Sequence, residues 1–282
     1  MTYHRPTDLT DAFGILANSG TQILAGGTDV FAAITGRELR GDVLDISAIA
    51  QLRGITRTDS GWRIGATTTW SDLAKTPLPP AFTALQQAAR EVGSLQIQNS
   101  ATIAGNLCNA SPAADGVPPL LVLDAVIEIG SRAGIRRLPL SEFILGVRKT
   151  AIKAGEIVTA IHIPQTGLQG ASAFQKLGAR KYLVISICMV AARITAIDGV
   201  IANAAISVGA CSPVACRLTL LEQAMVGCRY DDPAAWQDAL KQQVCALLSP
   251  IDDIRADAKY RRSAARELIN RTILAAISEG TS

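Results

Sequence analysis

Histidine is nearly absent from this chain of 282 residues: His4 and His162 are the only two. Neither has a carboxylate or cysteine neighbour at ligand spacing, so no protein-bound metal is expected. Net charge is also scarce. Twenty-seven basic residues stand against 24 acidic ones, a formal +3, which is too slight a bias to draw in a polyanion, so nucleic acid is not an expected partner. No apolar run approaches the roughly 18 residues that a membrane-spanning helix needs. The opening Met1-Thr2-Tyr3-His4-Arg5-Pro6-Thr7 has no apolar stretch after its basic residue. The expectation is a soluble, cytoplasmic protein without a membrane partner. Its six cysteines (Cys108, Cys188, Cys211, Cys216, Cys228, Cys245) are then reduced thiols rather than a disulfide framework. Cys211 and Cys216 are spaced Cys-x4-Cys, but the next cysteine comes twelve positions on, whereas an iron–sulfur cluster wants further thiolates close by.

What the chain does have is core: 49% of its residues are apolar and 18% charged, enough for two or three small domains. The texture changes between residues 164 and 172, where Ile163-Pro164-Gln165-Thr166-Gly167 leads into a Gly-rich polar stretch. That places a boundary between 1–167 and 168–282. Before it, the pattern predicts a helix over 8–18, a strand over 21–25, a helix over 30–37 and a strand over 43–46, which is α/β texture. A hairpin over 55–69 turning at Asp59-Ser60-Gly61 opens a second subdomain, about 53–167 after a first of about 1–52, with a helix start at Ser71-Asp72 and a helix over 80–92. After the boundary, strands are predicted over 173–177, 183–194 and 200–208, the last two joined at Asp198-Gly199. Helices follow over 217–226, 233–248 and 260–278. The basic residues Arg255, Lys259, Arg261, Arg262, Arg266 and Arg271 are read as a solvated face.

Two stretches carry chemistry. Ile23-Leu24-Ala25-Gly26-Gly27-Thr28-Asp29-Val30 is an apolar strand running into paired glycines, then a hydroxyl and a carboxylate suited to starting a helix. Such a junction lets backbone N–H groups turn toward a diphosphate. Standing alone, Gly-Gly between strand and helix is no more than a tight turn. The second stretch, Gln96 to Asp115, is dense in small and amide side chains and poor in charge, and is not expected to form a regular amphipathic element. Asn99, Thr102, Asn106 and Asn109 supply neutral donors and acceptors, and Gly105 lets a ligand lie against the main chain.

Taken together, Ala25-Gly26-Gly27-Thr28-Asp29, Thr102-Ile103-Ala104-Gly105-Asn106, Ser111-Pro112 and Asp115 resemble the FAD-binding (medium) subunits of molybdenum hydroxylases, the xanthine dehydrogenase and carbon monoxide dehydrogenase family. The resemblance continues through Leu123-Asp124-Ala125, Arg148-Lys149-Thr150, Gly155-Glu156-Ile157, Ile161-His162-Ile163-Pro164 and Phe174-Gln175-Lys176-Leu177-Gly178. It reaches the C-terminal part at Gly209-Ala210-Cys211-Ser212-Pro213, Arg217, Glu222, Gly227, Asp257 and Tyr260-Arg261-Arg262. It implies an α+β fold: a PCMH-type FAD-binding domain of two α/β subdomains, then a C-terminal flavoprotein domain of antiparallel sheet and helix bundle.

The resemblance further implies noncovalent FAD, its diphosphate wrapped by Ile23, Leu24, Ala25, Gly26, Gly27, Thr28, Asp29 and Val30. Thr102, Ile103, Ala104, Gly105 and Asn106 contact phosphate, ribityl and flavin, and Asp115 binds a cofactor hydroxyl. Val158 and Lys176 lie near the isoalloxazine, where an ammonium would stabilise reduced, anionic flavin; the plain alternative for Lys176 is a surface lysine. Three departures stand out. Ala104 replaces a glycine, Gln98 stands where many relatives carry arginine, and Arg180 to Ser186 lacks an Asp-Ile common after the lysine. The implied activity is electron relay: FAD accepts electrons from 2Fe-2S clusters and passes them to NAD or another acceptor. Molybdopterin and the clusters reside on a large and a small partner subunit, in a dimer of heterotrimers. Two rival readings are a self-sufficient FAD-dependent oxidase or reductase, and a scaffold subunit without FAD.

Overall fold

The computed structural model describes residues 2–17, 20–33 and 41–281. In the first unit, β1 (Tyr3–His4), α1 (Leu9–Leu16), β2 (Gln22–Leu24), α2 (Thr28–Ala32) and β3 (Val43–Asp45) build a small parallel sheet in the order β1-β3-β2. Asp8 starts α1 by accepting the Asp11 N–H at 3.0 Å. The second predicted helix begins earlier than the pattern indicates, at Thr28, directly on the paired glycines; its expected far end, beyond residue 33, lies outside the described residues.

The second unit holds β4 (Ile55–Thr58), β5 (Gly61–Gly65), α3 (Trp70–Lys75), α4 (Thr83–Glu91), α5 (Leu95–Ser100), α6 (Ile103–Asn109) and α7 (Val117–Val122). It continues with β6 (Val126–Ser131), β7 (Gly134–Pro139), α8 (Leu140–Phe143), β8 (Ile144–Gly146), β9 (Lys149–Thr150) and β10 (Ile157–Pro164). Five of these strands pair antiparallel in the order β4-β5-β10-β6-β7, and the helices cover one face. The β4–β5 hairpin turns where predicted. A side chain at Gly61 would sit 1.9 Å from the Ile163 carbonyl oxygen, so close strand pairing demands glycine there. Helix α3 starts at Trp70 rather than Ser71. Thr69 is its cap, forming a reciprocal box with Asp72.

The stretch from Gln96 to Asp115 departs from expectation in being mostly helical as far as Asn109. Ser94 and Thr102 accept the Ile97 and Gly105 N–H groups at 3.4 and 3.1 Å, starting α5 and α6 in turn. Caps, rather than apolar periodicity, define these short elements, which is why period counting passes over them.

One buried carboxylate on this sheet sets a pH limit. Desolvation alone would raise the Glu128 carboxyl, but hydrogen bonds from Arg137, Thr159 and His162 outweigh it and hold the group down at about 2, against 4.5 ordinarily. A depressed folded-state value means the stabilisation is complete above pH 4.5 and is lost as pH falls toward 2. Thermal melts between pH 2 and 6 are expected to show Glu128→Gln less stable at pH 6 and with a flatter acid limb than the wild type; parallel limbs would refute this.

The third unit comprises β11 (Ala171–Leu177), β12 (Cys188–Ile197), β13 (Val200–Gly209), β14 (Cys216–Arg217), α9 (Thr219–Met225), α10 (Gln237–Leu247) and α11 (Ala258–Thr281). Its antiparallel sheet runs β11-β12-β13-β14. Burial on both faces explains why β12 is apolar from Cys188 to Ala192. Cys188, Val190, Ala192 and Ile194 face α9 to α11, while Met189 and Ala191 join Ala84, Ala88 and Val122 of the preceding unit. Ser172 bridges the same seam, donating to the Ala81 carbonyl at 2.7 Å and accepting from the Ala84 N–H at 2.9 Å.

Three expectations for this unit need correction. The strand predicted from Leu183 begins at Cys188, because Leu183 has a φ of +53° and residues 179–183 are exposed. The helix predicted from Arg217 begins at Thr219, with Arg217 on β14. Arg261 is not on the solvated basic face: its side chain is 3% exposed, and it donates to Ile187 O at 2.6 Å and Asp253 Oδ1 at 2.8 Å.

Candidate cofactor cleft

The β2–α2 junction and α6 face each other across a cleft of about 340 Å³, within the range of small-molecule sites. Strand alternation sorts the first motif. Ile23 and Ala25 line the cleft, whereas Leu24 between them is 8% exposed and turned to the other side. Gly26, Gly27, Thr28, Asp29 and Val30 complete that wall. Gly27 has a φ of +70°, which glycine adopts without penalty.

The opposite wall is α6. Thr102, Ala104, Gly105 and Asn106 line it, and Ile103 is fully buried on the core side of the same helix. Ala104 lies within the helix, outside the left-handed region, so its methyl group is accommodated without backbone strain. The floor is apolar, formed by Ile46, Ala66, Ile157 and Val158. Gln98, the other departure, donates to the Arg90 carbonyl at 2.9 Å and does not line the cleft.

Asp115 and Lys176 stand apart from the cleft wall and form one unit. The ammonium is 2.6 Å from one carboxylate oxygen, and Ser186 donates to the other at 2.5 Å. The two side chains are 5% and 9% exposed for lysine and aspartate, so Lys176 is not a surface lysine. The unit adjoins the cleft through Gly116, whose N–H donates to the Asn106 Oδ1 at 3.3 Å. Nearby Glu91 is half-buried, and desolvation raises its carboxyl.

The structure joins side chains that the sequence names only separately, and brings Trp70 and Cys108 to the cleft. Asn109 Nδ2 donates to Asp29 Oδ1 at 2.7 Å, and Arg148 in turn binds both the Asn109 backbone oxygen, at 3.1 Å, and its side-chain oxygen. This chain ties α2 to α6 across the mouth of the cleft. Arg148 carries a φ of +56°, which no local pattern signals. Trp70 also lines the cleft. Cys108 is open to the cleft but crowded by protein elsewhere, and desolvation pushes its thiol up to about 12. Among the described residues, no three histidine, cysteine or acidic side chains come together as a metal site, and no helix is long and apolar enough to cross a membrane.

Comparison with known proteins agrees over the whole length. Residues 1–166 match the family described as the FAD binding domain in molybdopterin dehydrogenase, and residues 172–276 match the CO dehydrogenase flavoprotein C-terminal domain. The chain is 32% identical to a putative xanthine dehydrogenase FAD-binding subunit of Escherichia coli K12, covering 98% of this chain and 96% of that one. It is 37% identical to the nicotinate dehydrogenase FAD-subunit of Eubacterium barkeri, over 66% of this chain and 65% of that one. Among solved structures, carbon monoxide dehydrogenase from Hydrogenophaga pseudoflava superposes with a TM-score of 0.91 at 26% identity, covering 99% of this chain and 98% of the matched chain.

Proposed function

We propose that this chain, which belongs to the FAD-binding subunits of molybdenum-hydroxylase-type dehydrogenases, relays electrons from 2Fe-2S clusters on a small partner subunit to NAD or another acceptor. The substrate is oxidised at a molybdopterin centre on a large partner subunit. Sequence features for the clusters and the molybdopterin are missing from this chain, which supports placing them elsewhere. The division into a cofactor part, 1–167, and a C-terminal flavoprotein part, 168–282, belongs to the same proposal, as do a dimer of heterotrimers and a cytoplasmic location.

The observation that carries the reading is the cleft itself. Its residues fit a noncovalent FAD. A side chain at Gly26 would overlap the Ser100 carbonyl at 1.9 Å, so this wall accepts only bare backbone, the surface a diphosphate approaches. Thr28, Thr102 and Asn106 offer neutral donors, and Val158 presents an apolar face for a ring. Bound there, FAD supplies two-electron to one-electron exchange. The residues Ile23, Ala25–Val30, Thr102 and Ala104–Asn106 would hold it by contact. Leu24 and Ile103 support those walls from the core. Asp115 orients Lys176, and the neighbouring Gly116 N–H binds Asn106 of the cleft wall.

Purified protein denatured with acid is expected to release close to one equivalent of FAD, with a flavin absorption spectrum beforehand. Failure to bind FAD even after reconstitution would overturn the relay and leave a scaffold.

A further inference from the structure

The segment from Gly178 to Ile185 is a loop whose two feet stand on one carboxylate: Lys176 and Ser186 both bind Asp115, at 2.6 and 2.5 Å. Its outgoing end is fixed again at Ile187, whose carbonyl accepts from the buried Arg261 at 2.6 Å. Between these anchors the tip is exposed and apolar, with Tyr182 at 61%, Leu183 at 53% and Ile185 at 52%. It is nonetheless held in shape. Arg180 donates twice to the Leu183 carbonyl, at 3.2 and 2.5 Å, bracing that residue's left-handed backbone.

Three large apolar side chains displayed on a braced loop are costly in water and lose little entropy on being covered. Their rim is basic. The exposed segment 178–185 carries Arg180 and Lys181 and no acid, while the buried Lys176 is already paired with Asp115. Glu91, the acid whose field Lys181 reaches, is half-buried with its carboxyl raised by desolvation. An aromatic and aliphatic centre with an arginine–lysine rim is the composition of a protein-docking patch.

We infer that this loop docks a small acidic electron-carrier protein that takes electrons from the neighbouring cleft. The inference rests on the relay reading and names the class of acceptor. Two such carriers, each docking once, remove the two electrons that one substrate oxidation delivers, and the accompanying protons pass to water. Steering by opposite charge is sensitive to salt and to single charge reversals.

The test uses the complex purified with all its subunits and two c-type cytochromes of one fold, one acidic and one basic, all oxidised. Dissociation constants are measured by calorimetry at low and high salt for wild type, Lys181→Glu and Tyr182→Ser. The acidic cytochrome is expected to bind, with affinity falling on the order of tenfold in Lys181→Glu and in high salt, while acid-released FAD stays unchanged. The inference is overturned if the acidic cytochrome does not bind, if the basic one binds equally well, or if neither variant alters binding. Protection of the loop from hydrogen exchange in the resting complex overturns it too, because a partner subunit then covers it. So does its protection by NADH, which marks a dinucleotide site. A wild-type complex without FAD removes the relay premise itself; one with FAD but no docking overturns this inference alone.

Discussion

Gly26→Ala empties the cleft: acid-released FAD falls from about one equivalent to below about a tenth, and the protein loses about 3 kcal/mol of stability, the upper part of the usual cost of overpacking. The added methyl would lie 1.9 Å from the Ser100 carbonyl oxygen, 2.6 Å from its carbon and 3.0 Å from the Ala101 Cα. All three are backbone atoms, and none can swing aside as a side chain would. They are held from both directions. The Ala101 N–H donates to Ile97 O at 2.7 Å, and the Ala101 carbonyl accepts from the Trp70 N–H at 3.2 Å. Relief must come from moving the β2–α2 junction away from α6, which spreads the two walls that face the cofactor.

Gly27→Ala provides the contrast. Its cost is a left-handed φ of +70° and a clash with the Phe31 ring at 2.5 Å. Phe31 is 56% exposed, so the ring can rotate outward, leaving about 1 to 2 kcal/mol of backbone strain and partial FAD retention. Flavin absorbance per protein and thermal melts rank the two variants. Full FAD in Gly26→Ala at the wild-type melting temperature would show that the junction is not packed as described.

This difference between neighbouring glycines shows where sequence reasoning stops. Reading Gly26-Gly27 as a strand-to-helix junction needs only local pattern, and the hairpin at Asp59-Ser60-Gly61 is legible for the same reason: turn chemistry is written in a few adjacent residues. Which glycine is indispensable depends on Ser100, 74 positions away, and local pattern has no access to that. Strand alternation turns Leu24 away from Ile23 and Ala25, and the helical turn of α6 buries Ile103, yet a motif read as a block includes both. The Asp115–Lys176–Ser186 unit was only half visible. The acid and the lysine were singled out separately, but the strand pairing that brings Leu177 opposite Cys188 and so returns Ser186 to Asp115 is a long-range fact. Arg261 is misplaced because a run of basic residues reads as surface when its buried acceptors, Ile187 O and Ala210 O, come from the distant residues that flank β12 and β13.

Arg193 carries that lesson into energetics, since it is an arginine in the middle of the apolar strand β12. Its side chain is 3% exposed, and burial lowers its pKa against the raising field of Asp124. Four acceptors surround it: Val122 O at 2.6 Å, Gln169 O at 3.0 Å, Thr166 O at 3.3 Å and Asp124 Oδ2 at 3.0 Å. They lie on α7, on the crossing from β10 to β11 and on the turn before β6, so one guanidinium pins the C-terminal sheet to the cofactor-bearing part. Arg193→Met is expected to destabilise the protein by about 3 to 5 kcal/mol, because removing one partner of a buried pair strands the others. Arg193→Lys should recover little, since one ammonium cannot reach acceptors spread around a planar fork. Asp124→Asn should be milder: that carboxylate is 41% exposed and Arg193 keeps its three carbonyls. Denaturant midpoints at constant slope measure the series. A methionine variant within about 1 kcal/mol of wild type would mean that water enters and satisfies the stranded carbonyls, and the seam would then be held by its apolar contacts alone.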